Sequence, residues 1–203
     1  QVPVNPAGGL SFDKAVRSFL RQDPDIILVG EIRDGETAQA ATEAAITGHL
    51  LLSTLHTNDA PGAITRLREM GVANYNIAGA LLGVIAQRLV RRVCTHCAVP
   101  DEPNPEMLDI LNESNIPLED SRWLRGEGCE ECDHTGYQGR LAIHEILAID
   151  DKMSDSIVEG ASATAVRDMA RKKGEYRTLR EDGLLKAAQG LTTLDEVFIR
   201  TKE

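Results

Sequence analysis

The stretch that decides the fold is Asp25-Ile26-Ile27-Leu28-Val29-Gly30-Glu31, followed along the chain by His49-Leu50-Leu51-Leu52-Ser53-Thr54. Each stretch has consecutive aliphatic residues without polar alternation, a pattern typical of strands buried on both faces. Between them an alanine-rich helix is predicted over about 36–47, and a glycine ends it. Strand, helix and strand in this order predict a parallel α/β sheet.

Helices are also predicted on both sides of this unit. One covers about 11–22, and two follow the second strand, over about 61–70 and about 75–92. A strand over 141–147 and capped helices over 154–203 complete the chain. The predicted elements and the positions of the cysteines therefore divide the chain into three regions. These are an α/β core over 1–92, a cysteine-containing module over 93–139 and a closing strand with helices over 140–203.

Ligands of parallel sheets bind at the carboxyl ends of the strands. Glu31 directly follows the first strand, the layout of a Walker B acid that holds magnesium through water or orients a nucleophilic water beside a phosphate. An acid that only closes a turn is the alternative. His56 follows the second strand and could donate to a phosphate, or could be structural. His49 precedes that strand and could cap the preceding helix.

All four cysteines lie in two Cys-x-x-Cys knuckles, Cys94 with Cys97 and Cys129 with Cys132. Each knuckle can present two thiolates to one ion, and both together complete a tetrahedral four-sulfur shell without an open position. Such a site builds structure, so the sequence predicts structural Zn²⁺. The knuckles lie further apart than in the usual zinc ribbon. Two redox dithiols or four unrelated buried thiols are the alternatives.

Composition restricts the classes of partner. The 203 residues are 42% hydrophobic and carry a net charge of −10, which argues against free nucleic acid or an anionic membrane as the main partner. The sequence contains no apolar run of about 18 residues, so no membrane-spanning helix is predicted. Paired cysteines without a secretory signal fit a reducing cytoplasm.

Two other function classes fit the cysteines. A zinc-stabilised protein-binding module without nucleotide hydrolysis is the first alternative. A thiol redox enzyme is the second, but neither knuckle lies at a strand-to-helix junction of a thioredoxin-like pattern.

Further motifs occur in order along the whole chain. They are the phrase from Phe19 to Ala60, Gln87-Arg88-Leu89, the four cysteines, Gly139-Arg140 with His144-Glu145, and Thr178-Leu179-Arg180-Glu181-Asp182-Gly183. Together they resemble the secretion ATPase family of type II secretion and type IV pilus assembly.

The resemblance implies a RecA-like P-loop NTPase fold that binds ATP and Mg²⁺ at the subunit edges of a homo-hexameric ring. Hydrolysis is then expected to move a platform protein of the inner membrane, so we expect a cytoplasmic chain that is peripheral to that membrane through its partners. Neither nucleic-acid binding nor direct membrane insertion is expected. Secretion and pilus assembly are not distinguished.

Carried over residue by residue, Glu31 matches the Walker B acid. His49 and His56 match the two histidines of the family's His box, and His56 is the expected phosphate contact. Arg33 and Thr54 are expected at the nucleotide or at a subunit interface. The four cysteines match the zinc ligands of the family.

The sequence departs from the family in one respect, because it contains no Gly-x-x-x-x-Gly-Lys-Ser/Thr phosphate loop. The loop's backbone amides and lysine cradle the phosphates. We therefore expect a partial RecA-like domain, the C-terminal fragment of a longer ATPase, that by itself binds ATP weakly and hardly hydrolyses it.

Overall fold

The computed structural model describes residues 1–5, 8–113, 121–174 and 176–202. In these ranges the helices are α1 Phe12–Phe19, α2 Gly35–Ile46, α3 Gly62–Glu69, α4 Asn74–Ala80, α5 Pro105–Glu113, α6 Asp151–Val158, α7 Ala163–Lys172, α8 Leu179–Ala188 and α9 Leu194–Arg200. The strands are β1 Ile26–Val29, β2 Leu50–Ser53, β3 Gly83–Val93, β4 Ala98–Pro100, β5 Leu124–Gly126 and β6 Tyr137–Ala148. Among the helices described, none combines the length and apolarity needed to cross a membrane.

The chain divides into two compact units. The first contains Gln1–Val84 and Leu147–Gly174, and the second contains Ile85–Ile146 and Glu175–Glu203. Each unit is built from two separate stretches of chain, whereas the predicted regions 1–92, 93–139 and 140–203 are continuous. The predicted cysteine module, 93–139, lies wholly inside the second unit.

In the first unit, β1 and β2 form the predicted parallel pair, with Ile26 beside Leu50 and Val29 beside Ser53. Helix α2 connects them. It begins at the Asp34 cap, whose carboxylate accepts a hydrogen bond of 2.8 Å from the backbone N–H of Thr37. The predicted helices over 36–47 and 61–70 are confirmed within one residue, and the predicted helix over 11–22 is α1 followed by a 3₁₀ turn over Leu20–Gln22, because caps and breakers are local signals.

Among the residues that the structure describes, only one face of this parallel pair is covered, which corrects the prediction of strands buried on both faces. Ile27 and Val29 pack with Val16 of α1 and with alanines of α2. On the other face Ile26 and Leu28 are 61% and 74% exposed. Aliphatic runs show that a strand can be buried on two faces, but the packing of other elements decides how many faces are covered.

The predicted helix over 75–92 is wrong in its larger part. Helix α4 ends at Ala80, and β3 begins at Gly83 and pairs with β6. Ala86 and Val90 of β3 face the same cluster as Ile143 of β6. A spacing of four residues places side chains on one face of either a helix or a strand, so the pattern did not separate the two.

The core of the second unit is formed by α8 and α9 with part of α5. Leu111, Leu184, Ala187, Leu194 and Val197 are buried together. The short strands β4 and β5 pair antiparallel, with Ala98 beside Gly126.

A buried carboxylate links β3 to α9 in the second unit. Glu196 is 1% exposed and accepts bonds from the backbone N–H of Arg91 at 3.1 Å, from Nη2 of Arg91 at 2.7 Å and from Nε of Arg200 at 3.1 Å. The guanidinium of Arg91 also lies 3.9 Å from the ring centroid of Tyr137. These contacts satisfy a charge that would be costly to bury alone.

Candidate functional site

The first candidate site lies where β1 and β2 end. Beyond the strands the two segments stay joined, because the N–H of Ile32 donates to the carbonyl of Thr54 at 2.9 Å. The hydroxyl of Thr54 donates in turn to the carbonyl of Gly30 at 2.9 Å. Parallel pairing therefore brings the residues that follow both strands to one edge of the sheet.

Glu31 and His56 meet at this edge. Nε2 of His56 lies 3.6 Å from Oε2 of Glu31, and Nε of Arg33 donates to the same oxygen at 2.6 Å. The Glu31 side chain is 26% exposed, whereas those of Arg33 and His56 are 70% and 80% exposed. The carboxylate thus lies at the base of the cluster, between two solvent-exposed nitrogen groups.

These side chains can take part in proton transfer and cation binding, but the electrostatic interactions among them are weak. An ion pair as exposed as that of Arg33 with Glu31 contributes at most about 1 kcal/mol, because water screens it. Arg33 and His56 can therefore turn toward an arriving anion at little cost. The Glu31 carboxylate can then accept a proton from water or hold a water molecule of a hydrated cation.

His49 lies at the opposite end of β2 from this cluster. Its Nδ1 is 2.9 Å from the carbonyl of Ala44 and 3.2 Å from the hydroxyl of Thr47, at the C-terminus of α2. The helix-capping interpretation of His49 agrees with this position. The structure brings Glu31, Arg33, Thr54 and His56 together and leaves His49 apart from them.

The second candidate site is the cysteine cluster of the second unit. Cys94 follows β3 and Cys97 precedes β4, while Cys129 directly precedes a 3₁₀ turn over Glu130–Cys132, which Cys132 ends. The pairing of β4 with β5 brings the two knuckles together, although Cys94 and Cys129 are 35 positions apart along the chain. All four Sγ atoms lie within 4.8 Å of one another.

The sulfur positions match a tetrahedral metal site. Three of the Sγ–Sγ distances are 3.9 Å, 3.9 Å and 3.8 Å. A tetrahedron with zinc–thiolate bonds of about 2.3 Å has edges of about 3.8 Å. The four cysteines are thus positioned to bind a metal ion.

Backbone N–H groups help to hold the sulfurs. Cys129 and Gly136 donate to Sγ of Cys132 at 3.2 Å and 3.3 Å, and Gly128 donates to Sγ of Cys97 at 3.3 Å. The Cys129 N–H, with that of Gly136, lowers the pKa of the Cys132 thiol to about 6. Removal from water raises the pKa of Cys129 to about 12. A bound cation would allow all four sulfurs to ionise together.

Two glycines permit the close backbone approach beside this cluster. A Cβ on Gly126 would lie 2.1 Å from the carbonyl oxygen of Gly136. That same oxygen accepts a 3.0 Å hydrogen bond from the N–H of Cys94. Any larger residue at position 126 would push apart the segments that carry the knuckles.

The sequence interpretation missed the contacts that hold the sites in place. It did not identify Asp34 as the residue that caps α2. An acid directly before a predicted helix was the available signal. It also did not single out Glu196, whose buried network joins residues far apart along the chain, so no local pattern indicates it.

Comparison with known proteins identifies the family of the chain. The family model described as "Type II/IV secretion system protein" matches residues 1–199. The chain is 60% identical over its whole length to the type IV pilus assembly ATPase PilB of Thermus thermophilus, of which it covers 23%. It is 46% identical over its whole length to the type II secretion system ATPase E of Vibrio cholerae, of which it covers 40%.

Solved structures show the same fold. The Legionella pneumophila ATPase DotB matches with a TM-score of 0.66 at 26% identity, over 93% of this chain and 42% of DotB. The pilus retraction motor PilT with bound ADP matches with a TM-score of 0.64 at 25% identity, over 95% of this chain and 44% of PilT. The expected RecA-like α/β fold is thereby confirmed. The chain spans between about a quarter and two-fifths of the curated relatives, and it belongs to the type II/IV secretion system protein family.

Proposed function

We propose that this chain is the C-terminal part of a longer ATPase that drives type IV pilus assembly or type II protein secretion. One observation carries the proposal, which is the meeting of the Glu31 carboxylate and the His56 ring, 3.6 Å apart, at the carboxyl ends of two parallel strands. Relatives named as ATPases of both machines support it. The 60% identity to a pilus assembly ATPase, against 46% to a secretion ATPase, favours pilus assembly.

In this proposal Glu31 is the base of the hydrolytic site. Its carboxylate would accept the proton of the attacking water, or hold Mg²⁺ through a water molecule. Mg²⁺ would neutralise charge on the ATP phosphates when bound. His56 and Arg33 would turn toward the terminal phosphate, since both side chains are largely exposed and both already point a nitrogen at the Glu31 carboxylate.

The same proposal gives supporting roles to the neighbouring residues. Thr54 keeps the ends of both strands together and would hold this edge in shape while nucleotide binds. His49 would act through α2 or at a subunit interface, because it lies away from Glu31.

We further propose that the four cysteines hold Zn²⁺ as a structural ion. The support is the fit of the sulfur–sulfur distances to a zinc tetrathiolate and the coverage of all four ligand positions by protein. Zn²⁺ in such a closed shell stabilises the fold and takes no part in hydrolysis. In this proposal Glu31 and His56 therefore serve hydrolysis at the edge of the sheet, and the four cysteines form a separate structural metal centre.

The remaining parts of the proposal rest on family membership. They are a homo-hexameric ring, a platform protein of the inner membrane as partner, and a position on the cytoplasmic side of that membrane. ATP hydrolysis would supply the work by moving the units of each subunit within the ring.

ATP hydrolysis by the full-length protein tests the proposal. Glu31→Gln should lower kcat at least about a hundredfold, the scale of losing a positioned base, and His56→Ala should lower it clearly. Glu36→Gln is the matched control, since it makes the same chemical change in the first turn of α2. If Glu31→Gln turns over ATP as fast as Glu36→Gln does, Glu31 only closes a turn and the assignment fails.

A further inference from the structure

The segment that follows His56 is hydrogen-bonded to the start of helix α3. Oδ1 of Asp59 accepts a 2.8 Å hydrogen bond from the N–H of Gly62, and the hydroxyl of Thr57 donates to the Asp59 carbonyl at 2.9 Å. A Cβ on Gly62 would lie 2.6 Å from Oδ1 of Asp59. Glycine at this position therefore lets the carboxylate approach the start of the helix.

The second carboxylate oxygen of Asp59 is bound from a distant part of the chain. Nη2 of Arg167, on α7, donates to Oδ2 of Asp59 across a separation of 108 residues. The two side chains are 27% and 29% exposed, so water screens this pair less than the Arg33–Glu31 pair. Asp59 is thus held on one side by α3 and on the other by α7, three residues after His56.

A neighbouring arginine provides a contrast within the same unit. Arg68 of α3 donates to the carbonyls of Ala161 at 2.6 Å and Ile157 at 3.2 Å, and its Nε donates to Asn74 at 2.8 Å. These bonds join α3 to the chain near the end of α6. None of the three acceptors belongs to the segment 56–59.

We propose that Arg167 is a positioning residue for His56. By holding Asp59 it fixes the segment 56–59, and this keeps the imidazole beside the Glu31 carboxylate. The consequence for catalysis rests on the proposed function, but the structural link does not. Helix α7 would then influence hydrolysis without touching nucleotide, because a small displacement of a reacting group can cost a large factor in rate.

Amide hydrogen exchange of this chain tests the link directly. In Arg167→Met, exchange over residues 54–59 should become about tenfold faster, since one charge-assisted hydrogen bond is lost. Arg167→Lys keeps the charge and should restore most of the protection. Lys172→Met removes an exposed cation from the same helix, and Arg68→Met weakens the other link of α3; neither should change exchange over 54–59 more than about twofold.

Steady-state kinetics of the full-length protein test the consequence. Arg167→Met should lower kcat about tenfold with the KM for ATP nearly unchanged, because positioning and not ground-state binding is lost. Combined with His56→Ala it should lower kcat no further than His56→Ala alone. Arg68→Met should lower Tm, but it should keep kcat within about twofold of the parent protein.

The outcomes separate the two proposals. Unchanged exchange over 54–59 in Arg167→Met, or equal acceleration in Arg68→Met, overturns the positioning role whatever the enzyme does. Accelerated exchange together with additive effects of Arg167→Met and His56→Ala on kcat overturns the action through His56. If the full-length protein shows no hydrolysis, the proposed function fails, and the exchange result still decides the link. Should Arg167→Met not fold, Asp59→Asn, which removes the charged acceptor of the same bond, replaces it in the same comparison.

Discussion

Removal of the metal from the cysteine cluster should give the clearest physical response. Three of the sulfur–sulfur distances are 3.8 to 3.9 Å, which are the edges of a tetrahedron whose centre lies about 2.3 to 2.4 Å from each sulfur. The protein as isolated should therefore contain one Zn²⁺ per chain. X-ray absorption should find four sulfur neighbours at about 2.3 Å and no nitrogen or oxygen neighbour.

The size of the stability change follows from mass action. Zn²⁺ present at about a thousand times its dissociation constant stabilises the native state by about 4 kcal/mol. One kcal/mol shifts Tm by about 2 to 4 °C in a protein of 150 to 250 residues, and this chain has 203. Chelation should then lower Tm by about 8 to 16 °C, with the loss in the second unit.

Metal analysis and calorimetry with and without a chelator measure this response. Cys129→Ser should bind less than one equivalent of Zn²⁺ and should melt like the chelated parent. His96→Ala is the control inside the same knuckle, since His96 is exposed and is not one of the clustered ligands. Less than half an equivalent of zinc in the parent, or a Tm change below about 2 °C on chelation, would refute the structural metal centre.

Two further predictions concern the second unit. Burial alone would raise the pKa of Glu196, but hydrogen bonds from Arg91 and Arg200 lower it below its usual value. The carboxylate therefore stabilises the fold above its unfolded-state pKa, and this contribution is lost as the pH falls through the folded-state pKa. We expect Glu196→Gln to cost about 2 kcal/mol at pH 7 and progressively less below about pH 4, as measured by urea unfolding across that range; an equal cost at every pH would contradict the charge-based explanation. Gly183 of α8 packs against Val197, and a Cβ there would lie 2.7 Å from Cγ1 of that valine. Overpacking costs about 1 to 3 kcal/mol and exceeds the helix-propensity gain of about 1 kcal/mol. Gly183→Ala should thus unfold at lower urea concentration than the parent, and a higher midpoint would show that the core has room for the methyl group.

Several features could be predicted because their causes are local. An acid after an aliphatic run indicated Glu31, which lies beside His56, and two closely spaced cysteine pairs indicated the cluster of four sulfurs. The start of the last helix is indicated by Thr193, a capping residue whose hydroxyl accepts a bond from the N–H three residues later. In each case the interacting groups lie within a few residues, so the sequence order carries the geometry.

Other features depended on groups that meet only in the folded chain. β3 was predicted as helix because its apolar spacing fits both structures, and pairing with β6 decided between them. The exposed face of β1 depends on which elements pack on the sheet, a property that an aliphatic run does not encode.

The sequence by itself determined the family, the strand–acid motif and the set of four paired cysteines, since these depend on residue identity and short spacing. Tertiary structure alone decided that Glu196 is buried against Arg91 and that Arg167 reaches Asp59. The physical reason is that hydrogen bonds and ion pairs act only over a few ångströms in space. Only folding brings residues about a hundred positions apart within that distance.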